Sequence, residues 1–201
     1  MLSPSLRRRA LAHLRASDPR LAAVMAQVGH CRYRVQSDGT HFHAVCRSIM
    51  YQQLSGRAAS TIHARVRALY GDRDPTPAEL VATPDAILRA AGVSRQKLSY
   101  LRDLSARVVS GELPIESVHE LDDAGVIAAL TSVKGVGVWT AQIFLMYRLG
   151  RPDVLPGLDL GVRKAIQRAY RLRALPPPER VDRIGRPWAP YRSIAAWYLW
   201  R

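Results

Sequence analysis

Leu130-Thr131-Ser132-Val133-Lys134-Gly135-Val136-Gly137-Val138-Trp139-Thr140-Ala141 carries an apolar helix end into a Gly-x-Gly turn and out into a second apolar helix. Two glycines two apart permit positive φ and remove side chains from the turn. The amides at the start of the following helix can then face an anion, assisted by the positive end of the helix dipole. Lys134 adds a cation beside them. A plain helix–turn–helix would also use glycines, for packing alone, so the stretch by itself admits both readings.

Outward from this hairpin, helix signals dominate. Upstream, Asp122 to Leu130 reads as a capped helix, and the helix after the turn is expected over about 138–149. Ser17-Asp18-Pro19 opens a helix that ends at Gly29. Phe42, Val45, Cys46, Ile49, Met50 and Leu54 share one helical face over 42–54. Further helices are expected over 56–70 and 94–110, each stopped by a glycine (Gly71, Gly111). Thr76-Pro77 and Thr83-Pro84 are two short starts with proline in the first turn. Pro152 and Pro156 interrupt the chain before a helix over Leu160 to Arg171. Pro176-Pro177-Pro178 opens another segment, and an aromatic helix closes the chain over 190–200. Tyr33 to Gln36 alternates too briefly for a strand to be assigned. The expectation is an all-α fold of about ten short helices in an orthogonal array.

The chain has 201 residues, 48% apolar and 23% charged, which is globular composition. It carries 30 basic against 16 acidic residues, a net charge of +14. Only Lys97, Lys134 and Lys164 are lysine; the other basic residues are arginine. Such a charge points to a polyanion, nucleic acid first; an arginine-rich codon bias is the bland alternative. No apolar run reaches the ~20 residues of a membrane span, and no apolar segment follows the N-terminal arginines as in a signal peptide. The two cysteines, Cys31 and Cys46, form no C-x-x-C and cannot supply a four-thiolate site. No His/carboxylate spacing suggests a catalytic metal. A reduced, cytoplasmic setting is expected, nucleoid-associated if the source is bacterial.

Four further motifs stand in order around the hairpin. They are Asp18-Pro19-Arg20-Leu21; Tyr51-Gln52-Gln53-Leu54-Ser55; Leu155-Pro156-Gly157-Leu158-Asp159; and Trp188-Ala189-Pro190-Tyr191-Arg192-Ser193. With the hairpin they resemble the helix-hairpin-helix DNA glycosylase superfamily, whose hallmarks are the hairpin, a Gly/Pro-rich loop and a catalytic aspartate. The likeness is to its alkylation-repair branch, the DNA-3-methyladenine glycosylase II group. It runs from about residue 15 to the end, and it is to short members without an N-terminal β domain. The resemblance implies two helical lobes around a cleft. One spans 42–154 and holds the hairpin at about 124–149; the other is built from 1–41 and 155–201. It also implies a monofunctional glycosylase that flips alkylated bases such as 3-methyladenine or 7-methylguanine out of duplex DNA and leaves an abasic site. The partner is then double-stranded DNA with damaged bases, and the protein a monomer.

Carried residue by residue, the resemblance makes Asp159 the catalytic carboxylate, although an Asp there could equally cap the next helix. Asp153 is read as a loop or capping residue. Trp139 occupies the place where the lyase members carry a Schiff-base lysine, and a tryptophan cannot serve as that nucleophile. Trp139, Trp200 and Tyr51 are the candidate base-pocket walls, with core packing as the competing role for the tryptophans. Gln53 or Leu54 falls at the wedge that fills the flipped base's gap. Gln52, Gln53, Leu54 and Ser55, with Lys134, Gly135, Val136, Gly137 and Thr140, are the candidate DNA contacts; Gln52 and Gln53 could instead satisfy backbone at a helix end. No cofactor is implied beyond a structural Na+ or K+ on the carbonyls of Thr131, Val133 and Gly135. A non-catalytic hairpin DNA-binding module, and a glycosylase for uracil or hypoxanthine, are the alternatives.

Overall fold

The computed structural model describes residues 3–201. Among these there is no strand; there are twelve α-helices and two 3₁₀ turns, more and shorter pieces than the ten expected. No helix among them is long and apolar enough to cross a membrane. The helices fall into two compact units.

The first unit comprises residues 38–144. It holds α3 (His41–Tyr51), α4 (Gly56–Ala68), α5 (Pro77–Ala82), α6 (Asp85–Ala90), α7 (Arg95–Val109), a 3₁₀ turn (Ile115–Glu120), α8 (Asp123–Thr131) and the start of α9 (Val138–Tyr147). Their starts were legible because the caps are local. Ser55, Ser94 and Asp122 each accept an amide three residues on, and Thr76 forms a capping box with Glu79. One cap is not local: the Glu116 carboxylate accepts the His41 and Phe42 amides at 3.0 Å each. The core gathers Phe42, Ile49, Leu88, Leu101, Leu104, Val126 and Leu130, all nearly or fully buried. The helix expected over 42–54 stops at Tyr51, and Gln53 sits at φ 55°, so the chain turns there.

The second unit is built from both chain ends, 3–37 and 145–201. It holds α1 (Pro4–Ser17), α2 (Pro19–Val28), α10 (Leu160–Ala169), α11 (Pro178–Gly185), a 3₁₀ turn (Arg186–Trp188) and α12 (Arg192–Leu199). The fully buried Leu14, Leu21, Ile166, Val181, Trp188 and Ile194 form its core. α1 was not expected: it buries only Ala10 and Leu14 among arginines, too narrow a stripe to show a period.

The boundaries differ from the 41/42 and 154/155 expected; the structure divides at 37/38 and 144/145. Residues 145–154 belong with the chain ends because hydrogen bonds hold them there. The Gln36 amide donates to Tyr147 O at 2.7 Å, the Tyr33 hydroxyl to Met146 O at 2.5 Å, and the Ser193 amide to Pro152 O at 3.0 Å. Tyr33–Gln36 is thus an extended tether, not a strand. Cys31 and Cys46 are both free, buried thiols.

Candidate functional sites in the two units

In the unit 38–144 the hairpin turn is pinned to α7 and to the end of α3. Gly135 has φ 75°, and a Cβ added there would fall inside the Tyr100 ring. Its carbonyl accepts Gln52 Nε2–H at 2.9 Å. The neighbouring Lys134 amide donates to Asp103 Oδ2 at 2.9 Å, and Arg107 pairs with the same carboxylate at 3.1 Å. Burial works against the Asp103 charge, but those two donors hold its carboxyl below the usual range.

The two glycines therefore do different jobs. Gly135 is required by packing and by φ. Gly137 is exposed, and a Cβ there would meet nothing within 4 Å. Packing does not explain Gly137, whose lack of a side chain leaves the backbone at the start of α9 open to close approach.

Several expected DNA contacts have other duties. Val136 is 4% exposed and its amide closes the turn onto Val133 O at 3.1 Å, so it is core and not a phosphate donor. Thr140 is 6% exposed, turned inward directly after the exposed Val138 and Trp139 in the first turn of α9. Ser55 caps α4 by accepting the Ala58 amide at 3.3 Å. Gln52 serves backbone, as the competing reading had it, but at the hairpin turn and not at the end of its own helix. Leu54 is 40% exposed, beside Gln53, which is also exposed and has a positive φ. Lys134 is exposed and shares a basic groove with Arg89, Arg95 and Arg102, in which Arg102 is bound to Asp85. Sequence reasoning could not have singled out Arg95 among so many arginines.

Tyr51 and Trp139 line one cavity of about 590 Å³ with Gln52, Gln53, Lys97 and Tyr100. Trp139 is 42% exposed, a high value for an indole. One face of Tyr51 is already covered by the Arg47 guanidinium, 5.0 Å from the ring centre. Lys97 donates to Met50 O at 2.8 Å, and burial lowers its pKa.

In the unit of the chain ends, Asp159 stands at the exit of a stiff loop. Val154, Leu155, Pro156 and Gly157 are buried, the Gly157 amide donates to Leu155 O and the Asp159 amide to Pro156 O, each at 2.9 Å. Asp159 does cap α10: its Oδ1 accepts the Val162 amide at 2.8 Å. The same Oδ1 accepts Trp200 Nε1–H at 2.8 Å. Trp200, expected as a pocket wall, thus holds the carboxylate, and its ring stacks on Tyr147 at 6.1 Å. Burial pushes the Tyr147 hydroxyl up to about 12, with Asp159 among the charges that raise it. Gly161 makes room for this contact, since a Cβ there would lie 3.0 Å from both Asp159 Oδ1 and Trp200 Cδ1. Asp159 is half-buried between the exposed Leu158 and Leu160. Capping and chemistry are compatible, because a cap engages lone pairs without neutralising the charge.

Asp153, read as a loop residue, is bound by Arg192 through both oxygens, Nε at 2.7 Å and a terminal nitrogen at 2.8 Å. The partners lie 39 residues apart, beyond any local pattern.

Comparison with known proteins places these features in a family. A model of the HhH-GPD superfamily of base excision DNA repair proteins matches residues 46–190. DNA-3-methyladenine glycosylase 1 of Schizosaccharomyces pombe is 32% identical over 192 residues, covering 94% of this chain and 84% of that protein. The solved structure of the S. pombe 3-methyladenine DNA glycosylase in complex with abasic DNA superposes with a TM-score of 0.86 at 32% identity, covering 96% of this chain and 95% of the other. A DNA-3-methyladenine glycosidase from Bacillus halodurans gives 0.84 at 34% identity, with 99% and 88% covered.

Proposed function

Since the chain belongs to the HhH-GPD superfamily of base excision DNA repair proteins, we propose that it is a monofunctional DNA glycosylase that removes alkylated purines of the 3-methyladenine and 7-methylguanine type. The observation that carries this reading is Asp159: a half-exposed carboxylate on a rigid loop, fixed by a helix amide and an indole N–H.

The chemistry follows from that charge. The target base leaves the stack to be cut. Its bond to C1′ breaks and the electron pair departs with the base; a methylated cationic purine leaves neutral. The sugar gains oxocarbenium character, which a fixed carboxylate stabilises. Water adds through oxygen to C1′ and yields its proton to the carboxylate or to solvent. The product is an abasic site on an intact strand, because Trp139 stands where a lyase needs an amine. An electron-rich indole suits an electron-poor base by stacking and cation–π attraction, which gives the exposed Trp139 a ligand.

The hairpin binds backbone phosphate through the start of α9, with Lys134 and Arg95 alongside. Residues 131–135 also fit a Na+ or K+. Val133 O and Gly135 O each accept one hydrogen bond and keep a second lone pair, so they and Thr131 O would hold the ion, which supplies positive charge beside the phosphate. The protein works as a monomer in the compartment that holds the DNA.

The deciding experiment incubates the purified chain with duplexes holding 3-methyladenine, 7-methylguanine, hypoxanthine or uracil. Release of the methylpurines, with strand breaks only after alkali, is expected. Breaks without alkali overturn the monofunctional mechanism; release of uracil or hypoxanthine alone overturns the substrate class; binding without any release leaves the non-catalytic module.

A further inference from the structure

We propose that Arg192 and Ser193 are positioning residues for Asp159, clasping the loop at 151–154 so that its far end presents the carboxylate at a fixed place; this rests on Asp159 being the catalytic group. The clasp is dense. Arg192 grips both oxygens of Asp153, and its own amide donates to Oδ1 at 3.2 Å. Ser193 is fully buried. Its amide donates to Pro152 O at 3.0 Å, its hydroxyl donates to Arg151 O at 2.7 Å, and that hydroxyl accepts the Val154 amide at 2.9 Å. Two consecutive residues at the start of α12 thus hold four consecutive loop residues.

Nothing between the clasp and Asp159 is slack. Gly185 lets Leu155 pack directly on the backbone of α11, since a Cβ there would collide with the Leu155 side chain. Gly157 is seated against Pro178 and Asp182. Two short backbone turns then carry the chain to Asp159. At the other end of α12, Trp200 binds the carboxylate itself. One helix therefore fixes both the root of the loop and the acid at its tip. Burial opposes the Asp153 charge, yet the Arg192 donors keep its carboxyl below the usual range, so the ion pair is intact at neutral pH. A misplacement of about 1 Å at a reacting group can lower a rate ~100-fold, so slack at the clasp should appear in catalysis.

The test compares Arg192→Ala, Asp153→Ala, the double variant, Ser193→Ala and Arg192→Lys on a 7-methylguanine duplex. Single-turnover rate at saturating enzyme, Kd for abasic duplex and Tm are measured on each. Each alanine variant at the ion pair should lose about 10-fold in rate with Kd unchanged. The double variant should lose no more than either single one, and Arg192→Lys should recover part. Glu116→Gln, which weakens the α3 cap in the other unit, is the control for lowered Tm alone and should keep the wild-type rate. Unchanged rates, additive losses or a loss confined to Kd overturn the proposal; the last outcome makes Arg192 a phosphate contact. Should the ion-pair variants not fold, Arg192→Lys and Ser193→Ala carry the same comparison. Full activity in Asp159→Asn would instead overturn the catalytic reading on which the clasp depends.

Discussion

Asp18 and Asp159 open helices in the same unit with nearly the same parts. Each is an N-cap residue, and each accepts an indole N–H at 2.8 Å, from Trp188 and from Trp200. The difference lies in exposure and in how the oxygens are used. Asp18 is 8% exposed; Oδ1 takes the Arg20 and Leu21 amides, and Oδ2 takes Trp188 and the Tyr170 hydroxyl. Burial and the Asp18 charge together push the Tyr170 hydroxyl far above its ordinary range. At Asp159 the cap amide and the indole converge on Oδ1, between two leucines that are each more than half exposed. One local design yields a buried clamp in the first case and a carboxylate partly open to solvent in the second.

The same substitution at both sites tests this contrast most severely. Asp159→Asn keeps an oxygen for the cap and the indole but removes the charge. Excision should fall by at least ~100-fold, while Tm stays within a degree or two because Asn caps as well as Asp. Asp18→Asn should do the reverse. Its amide cannot accept the Trp188 N–H, leaving buried donors facing each other at about 1–3 kcal/mol, with excision intact at low temperature. Single-turnover kinetics and thermal melts on both variants decide it.

Removing the indole donors is the next step. Trp188→Phe voids a fully buried site and should lower stability by roughly 2–4 kcal/mol in denaturant titration. Trp200→Phe should lower the excision rate about 10-fold with a smaller loss of stability, since it frees the carboxylate to turn.

The smallest effect is expected at the second residue of each helix. Gly161→Ala crowds Oδ1 and the Trp200 ring by a few tenths of an ångström and should slow excision a few-fold. Arg20 already carries a side chain at the equivalent place after Asp18, and Arg20→Ala should leave the rate unchanged.

These pairs also show what could be read from the chain. Caps, proline starts and glycine stops were legible because their partners lie within four residues. The order of motifs pointed to Asp159 only through the resemblance that the motifs carry. The indole donors to Asp18 and Asp159 lie 170 and 41 residues away, and no local pattern announces them. The inward turn of Thr140 was hidden for another reason. α9 reads Val-Trp-Thr-Ala-Gln-Ile-Phe-Leu-Met-Tyr, apolar on nearly every side, so periodicity assigns it no inner face. Val136 was misassigned because one turn serves two purposes, its amide closing the loop while its neighbours are exposed. Asp153 belonged to a clasp that exists only once α12 is folded.

The hairpin turn is held at three points, by the Tyr100 ring, by Gln52 and by Asp103. Ordering a flexible backbone costs about 1–2 kcal/mol per residue, and a turn already held does not incur that at each encounter. Contact with undamaged DNA can then be brief without being wasteful. An encounter at this turn requires no refolding of it on arrival or on departure.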